Sequence, residues 1–153
     1  MSCNEFENEM KGRKEMKIKV MLDPGAKMPT RAHEDDAGMD LYSREEKWIV
    51  AGHGAVFDTG VHVEIPKNFT GLIKSKSGLN IKYGVVSDGV IDAGYTGSIV
   101  VRLQNNGEKH CLIKKGDKIT QLVLVPIITP DLELVDSLEE TERGNNGFGS
   151  SGR

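Results

Sequence analysis

The sequence predicts an all-β domain, and three observations support that prediction. Short segments in which apolar and polar residues alternate recur between residues 16 and 135, and this is the period of a half-buried strand. Groups of Gly, Pro, Asn and Asp separate these segments at close spacing, as turns do. The 153 residues include 18 glycines, well above the average usage of roughly 7%. Many short strands with frequent turns favour a barrel, a sandwich or a jelly roll.

The elements follow in chain order. The first predicted strand covers residues 16–22, where Met16, Ile18, Val20 and Leu22 would share one face. Further strands are predicted over residues 48–50, 60–65, 71–73, 98–103 and 119–125. Turns are predicted at residues 23–25, 52–54, 66–68, 87–89, 105–107 and 115–117. Residues 77–83 favour a short helical turn instead.

A chain of 153 residues fits one domain with its own core. We predict a flexible N-terminal extension over residues 1–15, a β domain over residues 16–135 and a C-terminal tail over residues 136–153. The tail has too few apolar residues to fold alone, so on its own it should be mobile. It nevertheless contains Arg143 and Phe148 among glycines and hydroxyls, which fits a segment that orders around a ligand.

Charge and composition exclude several classes of protein. With 20 Lys and Arg against 23 Asp and Glu, the net charge is −3, and no basic patch indicates direct nucleic-acid binding. No apolar run approaches the roughly 20 residues that span a bilayer, and the N-terminus lacks the apolar core of a signal peptide. Cys3 and Cys111 are too few for a disulfide scaffold. We therefore expect a cytoplasmic protein with no membrane contact.

Two nucleotide-binding patterns in the tail are misleading. Residues 147–152 match GxGxxG, but that fingerprint requires a strand before it and a helix after it. Residues 144–151 imitate the spacing of a phosphate-binding loop but lack its lysine. Flexible glycine amides and serine hydroxyls still make a suitable cradle for phosphate oxygens.

Five separated segments are distinctive in their combination and order. They are residues 32–41 (AHEDDAGMDL), 76–79 (KSGL), 89–97 (GVIDAGYTG), 115–122 (KGDKITQL) and 143–152 (RGNNGFGSSG). Through them the chain resembles the trimeric dUTP pyrophosphatase (dUTPase) family over residues 32–152. The resemblance implies a distorted jelly-roll, β-clip-like barrel subunit with a flexible tail. It also implies a homotrimer with active sites at subunit interfaces, each closed by a neighbour's tail.

The resemblance implies a reaction as well. The family hydrolyses dUTP to dUMP and pyrophosphate with Mg²⁺ as cofactor, which keeps uracil out of DNA and supplies dUMP for dTMP synthesis. In the third segment the backbone at Gly89, Val90 and Ile91 would pair with uracil. Asp92 would orient and deprotonate the water that attacks the α-phosphorus, and Tyr95 would leave no room for a 2′-hydroxyl. Taken alone, the segment fits equally well an ordinary hairpin turn with Tyr95 in the core.

By the same resemblance the second and fourth segments would bind phosphates. Ser77 and the Gly78 amide would contact phosphate oxygens, and Gln121 would donate a hydrogen bond to another. Lys76 stands where the family more commonly has arginine, and lysine lacks the planar fork for bidentate contact. Taken alone, these residues fit better a helix cap built on Ser77 and an outward-facing strand residue at position 121.

The tail completes the substrate site in the family pattern. Arg143 would bind the γ-phosphate, Phe148 would stack on uracil, and Gly149, Ser150 and Ser151 would surround the terminal phosphates. The alternative is a disordered solubilising tail.

The resemblance implies a magnesium site near Asp40, which would hold the ion through water while the triphosphate supplies direct ligands. Asp35 and Asp36 fit a solvated loop better. The four histidines lack the spacing of zinc ligands; they are His33, His53, His62 and His110.

Two other functions compete with this one. A dCTP deaminase shares the fold and the third segment, but Arg102 stands where its catalytic glutamate is expected, and arginine cannot serve as that acid or base. A regulatory protein that binds the nucleotide and signals to an unknown partner is the second alternative, and residues 1–15 would be the first place to look for such a partner.

Overall fold

The computed structural model describes residues 16–144, which form eleven short strands and one helix. In chain order these are β1 (Val20–Leu22), β2 (Gly38–Tyr42), β3 (Lys47–Ile49), β4 (Gly54–Asp58), β5 (Val61–Val63), β6 (Phe69–Ser75), α1 (Ser77–Tyr83), β7 (Val85–Val86), β8 (Asp88–Ile91), β9 (Val100–Asn105), β10 (Cys111–Ile113) and β11 (Lys118–Pro126). The prediction of an all-β fold is confirmed.

The strands pair antiparallel in four groups. One sheet has the order β2-β11-β6-β8 and a second has the order β4-β9-β7, while β1 pairs with β5 and β3 pairs with β10. All four groups contribute inward side chains to one apolar cluster, because alternate residues of each strand point to the same side. Leu41, Phe57, Ile73, Leu103 and Leu122 are almost fully buried there. Full burial of each such side chain contributes about 1.5–3 kcal/mol, so this core fixes the sheets that carry the site.

The predicted helical turn over residues 77–83 is confirmed as α1. It ends at Gly84, whose φ of 70° lies in the left-handed region and whose N–H donates to the Asn80 carbonyl at 2.7 Å. A Cβ at Gly84 would lie 2.7 Å from the Gly107 nitrogen, so the close approach of two backbone segments also requires glycine here. No helix within residues 16–144 has the length and apolar character needed to cross a membrane.

Two predictions about elements are wrong. Residues 87–89 were expected to form a turn, but Asp88 and Gly89 begin β8, because they pair with Lys74 and Ile73 of β6. Turn propensity is overridden there by the ladder. The first strand covers Val20–Leu22 rather than residues 16–22, since its partner β5 is only three residues long. Met16 and Leu22 are accordingly exposed rather than half-buried.

Candidate active site

A row of polar residues crosses the four-stranded sheet. Gln121 of β11 lies opposite Asp40 of β2 on one side and Lys74 of β6 on the other, and Lys74 lies opposite Asp88 of β8. Directly paired residues of antiparallel strands share a face, so all four side chains lie on the same side of the sheet. Lys74 and Asp88 form an ion pair of 2.5 Å, and the hydrogen bond from Lys74 lowers the pKa of Asp88.

At one end of this row Asp40 is held between two lysines, and we call Asp40, Lys76 and Lys118 the lysine–aspartate cluster. The Asp40 side chain is only 5% exposed, with Oδ1 at 2.6 Å from Lys76 Nζ and Oδ2 at 2.7 Å from Lys118 Nζ. Burial alone would raise the pKa of Asp40, but the hydrogen bonds from Lys118 and Lys76 outweigh it and the pKa is lowered. The cluster therefore holds a carboxylate and two ammonium groups, with a net positive charge.

Lys118 is a contact that the sequence analysis did not single out. It reaches Asp40 because the pairing of β11 with β2 shifts between Lys118 and Thr120. Such a bulge brings a side chain to a face that simple alternation would not assign to it. Its place in the KGDKITQL segment was the only available signal.

Gln121 and the start of α1 lie beside the cluster. Gln121 Nε2 donates to the Ser75 carbonyl at 3.0 Å, which leaves its second N–H for another acceptor. A Cβ at Gly38 would fall 2.1 Å from Gln121 Oε1, so glycine makes room for this side chain. Ser77 and Gly78 are both exposed in the first turn of α1, and a Cβ at Gly78 would meet nothing within 4 Å. The structure thus brings together the predicted phosphate-binding residues Lys76, Ser77, Gly78 and Gln121, next to the predicted metal-site residue Asp40.

A second group of predicted residues lies where β8 ends. An open pocket of about 170 Å³ is lined by Val90, Ile91, Asp92, Tyr95, Ser98 and Val100. Asp92 to Tyr95 form a turn in which the Tyr95 N–H donates to the Asp92 carbonyl at 3.2 Å, and Gly94 adopts a φ of 91°. A positive φ at the third position of such a turn favours glycine.

Tyr95 stands beside this turn with its ring 47% exposed, and its hydroxyl donates to the Ser98 carbonyl at 2.9 Å. The alternative in which Tyr95 packs in the core is therefore wrong.

The two groups are far apart within one chain. Gly71 of β6 pairs with Ile91, the residue before Asp92, whereas Lys76 follows the other end of β6. The five residues from Gly71 to Lys76 correspond to roughly 17 Å at about 3.4 Å per residue. A single chain therefore does not bring the Asp92 carboxylate close to the lysine–aspartate cluster.

Comparison with known proteins identifies the family of this fold. The family model described as dUTPase matches residues 25–152. The chain belongs to the dUTPase family. It is 46% identical over 141 residues to the deoxyuridine 5′-triphosphate nucleotidohydrolase of Clostridium tetani, covering 90% of this chain and 97% of that protein. It is 43% identical to the enzyme of the same name from Paramecium bursaria Chlorella virus 1, covering 83% of this chain and 91% of that protein.

Solved dUTPase structures share the fold. The dUTPase of Staphylococcus bacteriophage 80alpha, solved with dUpNHpp, matches with a TM-score of 0.80 and 35% identity over 90% of this chain and 99% of that one. The dUTPase of S. aureus phage phi11, which coordinates a structural Mg(II) ion, matches with a TM-score of 0.75 and 33% identity over 82% of this chain and 100% of that one. The predicted jelly-roll class, the family and the enzyme class are confirmed.

The dUTPase pattern extends past the described residues. Arg143 is exposed close to their end, while Phe148, Gly149, Ser150 and Ser151 lie outside them, as do residues 1–15. The roles predicted for these tail residues stay predictions. Within residues 16–144, no group of three or more His, Cys, Asp and Glu side chains is placed to hold a metal ion.

Proposed function

We propose that this chain hydrolyses dUTP to dUMP and pyrophosphate, with Asp92 as the catalytic base. The observation that carries the proposal is the turn from Asp92 to Tyr95, which places an exposed carboxylate and a tyrosine ring in one pocket at the end of a strand. Membership of the dUTPase family supports the reaction, and the dUpNHpp of the phage 80alpha structure supports a deoxyuridine nucleotide as substrate.

Strand β8 is suited to reading the base. It lies at the edge of its sheet, with β6 on one side, so the backbone of Gly89, Val90 and Ile91 is held rigidly along one edge. The other edge of such a strand offers N–H and C=O groups to a ligand. We assign these groups to uracil and the ring of Tyr95 to the deoxyribose.

The reaction is an in-line displacement at the α-phosphorus. A water molecule held by the Asp92 carboxylate forms the new oxygen–phosphorus bond and gives its proton to that carboxylate. The bond from the α-phosphorus to the oxygen that bridges it to the β-phosphorus breaks, and pyrophosphate leaves with the electron pair. Asp92 is exposed, so the base is accessible to water before the substrate binds.

We assign the triphosphate to the lysine–aspartate cluster and its neighbours. Lys76 and Lys118 exceed the charge of Asp40 by one, and the Ser77 hydroxyl, the Gly78 amide and the free N–H of Gln121 are further donors nearby. Donors held in place before the reaction stabilise charge that develops on the leaving oxygen. In the tail, Arg143 would bind the γ-phosphate, Phe148 would cover uracil, and Gly149, Ser150 and Ser151 would surround the terminal phosphates.

The Mg(II) ion of the phi11 relative supports a metal cofactor, and we propose Mg²⁺ here. Each Asp40 oxygen accepts one lysine hydrogen bond, and a carboxylate oxygen has a second lone pair for a metal-bound water. The neighbouring lysines disfavour direct coordination, so the triphosphate oxygens would be the direct ligands. When bound, the ion would offset triphosphate charge and fix its conformation.

The separation of about 17 Å between the two groups supports a site shared between copies of the chain. An attacking water must lie within roughly 3–3.5 Å of the phosphorus, which one chain does not allow if its own Lys76 and Ser77 hold the phosphates. We therefore propose that the loop of one subunit faces the cluster of another, in a homotrimer with the tail closing the site.

Arg102 supports hydrolysis over deamination. It lies on β9 two residues after Val100, a residue of the pocket, and both side chains are on the exposed face of that strand. A guanidinium at this position supplies neither an acid nor a base for the loss of ammonia. We further propose a cytoplasmic role in keeping uracil out of DNA and supplying dUMP for dTMP synthesis.

The experiment that tests the function is incubation of the purified protein with Mg²⁺ and, separately, dUTP, dCTP, UTP and dTTP, with pyrophosphate and ammonia both measured. We expect pyrophosphate from dUTP and negligible release from the other three, since β8 would exclude the thymine methyl and Tyr95 would exclude a 2′-hydroxyl. Ammonia from dCTP would move the assignment to a deaminase. Binding of dUTP without turnover would favour a regulatory protein.

A further inference from the structure

A charged group outside the proposed machinery holds the loop that carries Asp92. His62 lies at the centre of β5, and its side chain is 17% exposed. Its Nδ1 is 2.7 Å from the carbonyl oxygen of Thr96, and its Nε2 is 3.1 Å from Oδ1 of Asp23. Thr96 directly follows Tyr95, so one ring nitrogen of His62 is bonded to the proposed catalytic loop.

The partners of His62 identify its charge state. A carbonyl oxygen and a carboxylate oxygen both accept hydrogen bonds, so both ring nitrogens must donate, and only the imidazolium form carries two N–H groups. The hydrogen bond to Thr96 raises the pKa of His62 most, and Asp23 raises it further against the opposing effect of burial.

The surroundings of His62 contain charges of both signs. Asp58, at the end of β4, adds a further negative charge that raises the pKa of His62. Arg44 lies between the two acids, at 3.7 Å from Asp23 Oδ2 and 2.8 Å from Asp58 Oδ2. Lys19 and Glu64 border the same surface as His62 and pair with each other at 3.1 Å. The two acids are thus the nearest countercharges of the imidazolium.

The same charged group bonds the loop at a second point. Asp58 Oδ1 accepts a short hydrogen bond from the Ser98 hydroxyl, and the Ser98 carbonyl accepts from the Tyr95 hydroxyl. The loop is therefore bonded at Thr96 to His62 and at Ser98 to Asp58, on the chain segment that directly follows Asp92 and Tyr95.

We propose that protonated His62 is a positioning residue for this loop, and that loss of its proton loosens the loop and lowers activity at alkaline pH. A neutral imidazole donates once, so either the Thr96 bond or the Asp23 bond is lost. The inference rests on the proposed function, because it concerns the placement of Asp92 and Tyr95.

The first test is the pH profile of kcat/KM for dUTP hydrolysis in three variants. For the wild type we expect a decline of about three- to tenfold on the alkaline side, part of what a charge-assisted hydrogen bond is worth. H62Q should lack this decline and show, at neutral pH, the lower activity that the wild type reaches when alkaline. D23N should move the decline to lower pH. H53Q is the control, since His53 precedes the opposite end of β4, and its profile should match the wild type.

The second test does not need turnover. NMR titration of the His62 ring nitrogens and of the Gly97 amide, in the peptide unit of the Thr96 carbonyl, should give one shared pKa above 6.5, the ordinary value. Titration of His62 near 6.5 without a response at Gly97, or coincident profiles for H62Q and the wild type, would overturn the proposal. A wild-type protein that does not hydrolyse dUTP would instead contradict the proposed function, and the NMR result would remain interpretable.

Discussion

The two halves of the proposed site differ in how the protein holds them. In the lysine–aspartate cluster, Asp40 is 5% exposed and bonded by two lysines, on adjacent strands of the central sheet. In the loop, Asp92 is exposed on a turn, and the segment after it is bonded through Thr96 and Ser98. The cluster is part of the folded core's surface, whereas the loop is positioned by a few polar contacts.

This difference separates two kinds of mutational effect. Changes in the cluster should alter stability together with phosphate binding, because its charges are largely removed from water and depend on each other. Changes in the loop should alter turnover while the fold is kept, because no core contact is lost. The predictions below test that separation, beginning with the largest effect.

Replacing Asp92 by Asn should lower kcat by roughly 10²–10⁴, because the positioned base is lost. KM for dUTP should change little, since the amide keeps the size and most contacts of the carboxylate. Steady-state pyrophosphate release and thermal unfolding of the same samples would measure both quantities. D131N, at an exposed acid beyond β11, is the control and should behave as wild type. Near-normal turnover of D92N would refute the assigned role.

The distance between the halves is tested by mixing D92N with a second variant, K76A, expected to be nearly inactive because it loses phosphate binding. If each site takes its loop from one subunit and its cluster from another, random trimers should recover roughly a quarter of wild-type sites. If both halves came from the same chain, mixing would recover nothing. Mixing after assembly, without subunit exchange, is the matching control.

Sequence reasoning reached the family and the membership of each half, but not their separation. The β8 pairing was missed because Asp88 and Gly89 have turn propensity, and only the long-range ladder with β6 decides their conformation. Lys118 was missed because a β-bulge directs it to Asp40, and bulges leave little trace in an alternating pattern. His62 was considered only as a zinc ligand, since its partners Asp23 and Thr96 lie more than 30 residues away in sequence.

Replacing Asp40 by Asn should lower the free energy of unfolding by roughly 1–3 kcal/mol at pH 7, because two lysines lose their countercharge. The loss should be below that of a fully buried pair, since Lys76 and Lys118 are themselves 26% and 44% exposed. Chemical denaturation at equal protein concentration would measure it, with D136N as an exposed control. An unchanged stability would show that the cluster is not structurally held.

The effect of Asp40 should also depend on pH in a defined direction. Its folded pKa is below the ordinary value of 3.8, so its contribution is fully present above that value and is lost as pH falls through the folded pKa. The stability difference between wild type and D40N should therefore be constant from about pH 7 to pH 5 and shrink below about pH 4. A difference that grew on acidification would contradict the lowered pKa.

The smallest expected effect is that of Lys76→Arg, which restores the residue more common in the family. A guanidinium can bond Asp40 with one N–H and still present its fork to a phosphate, whereas the Lys76 ammonium is a point charge already 2.6 Å from Asp40. We expect KM for dUTP to fall by about two- to fivefold with kcat within about twofold, as added ground-state binding predicts. K82R, on the exposed side of α1, is the matched control. A K76R variant with a raised KM would show that the lysine is fitted to this cluster, and that the cluster tolerates less change than its partly exposed position indicates.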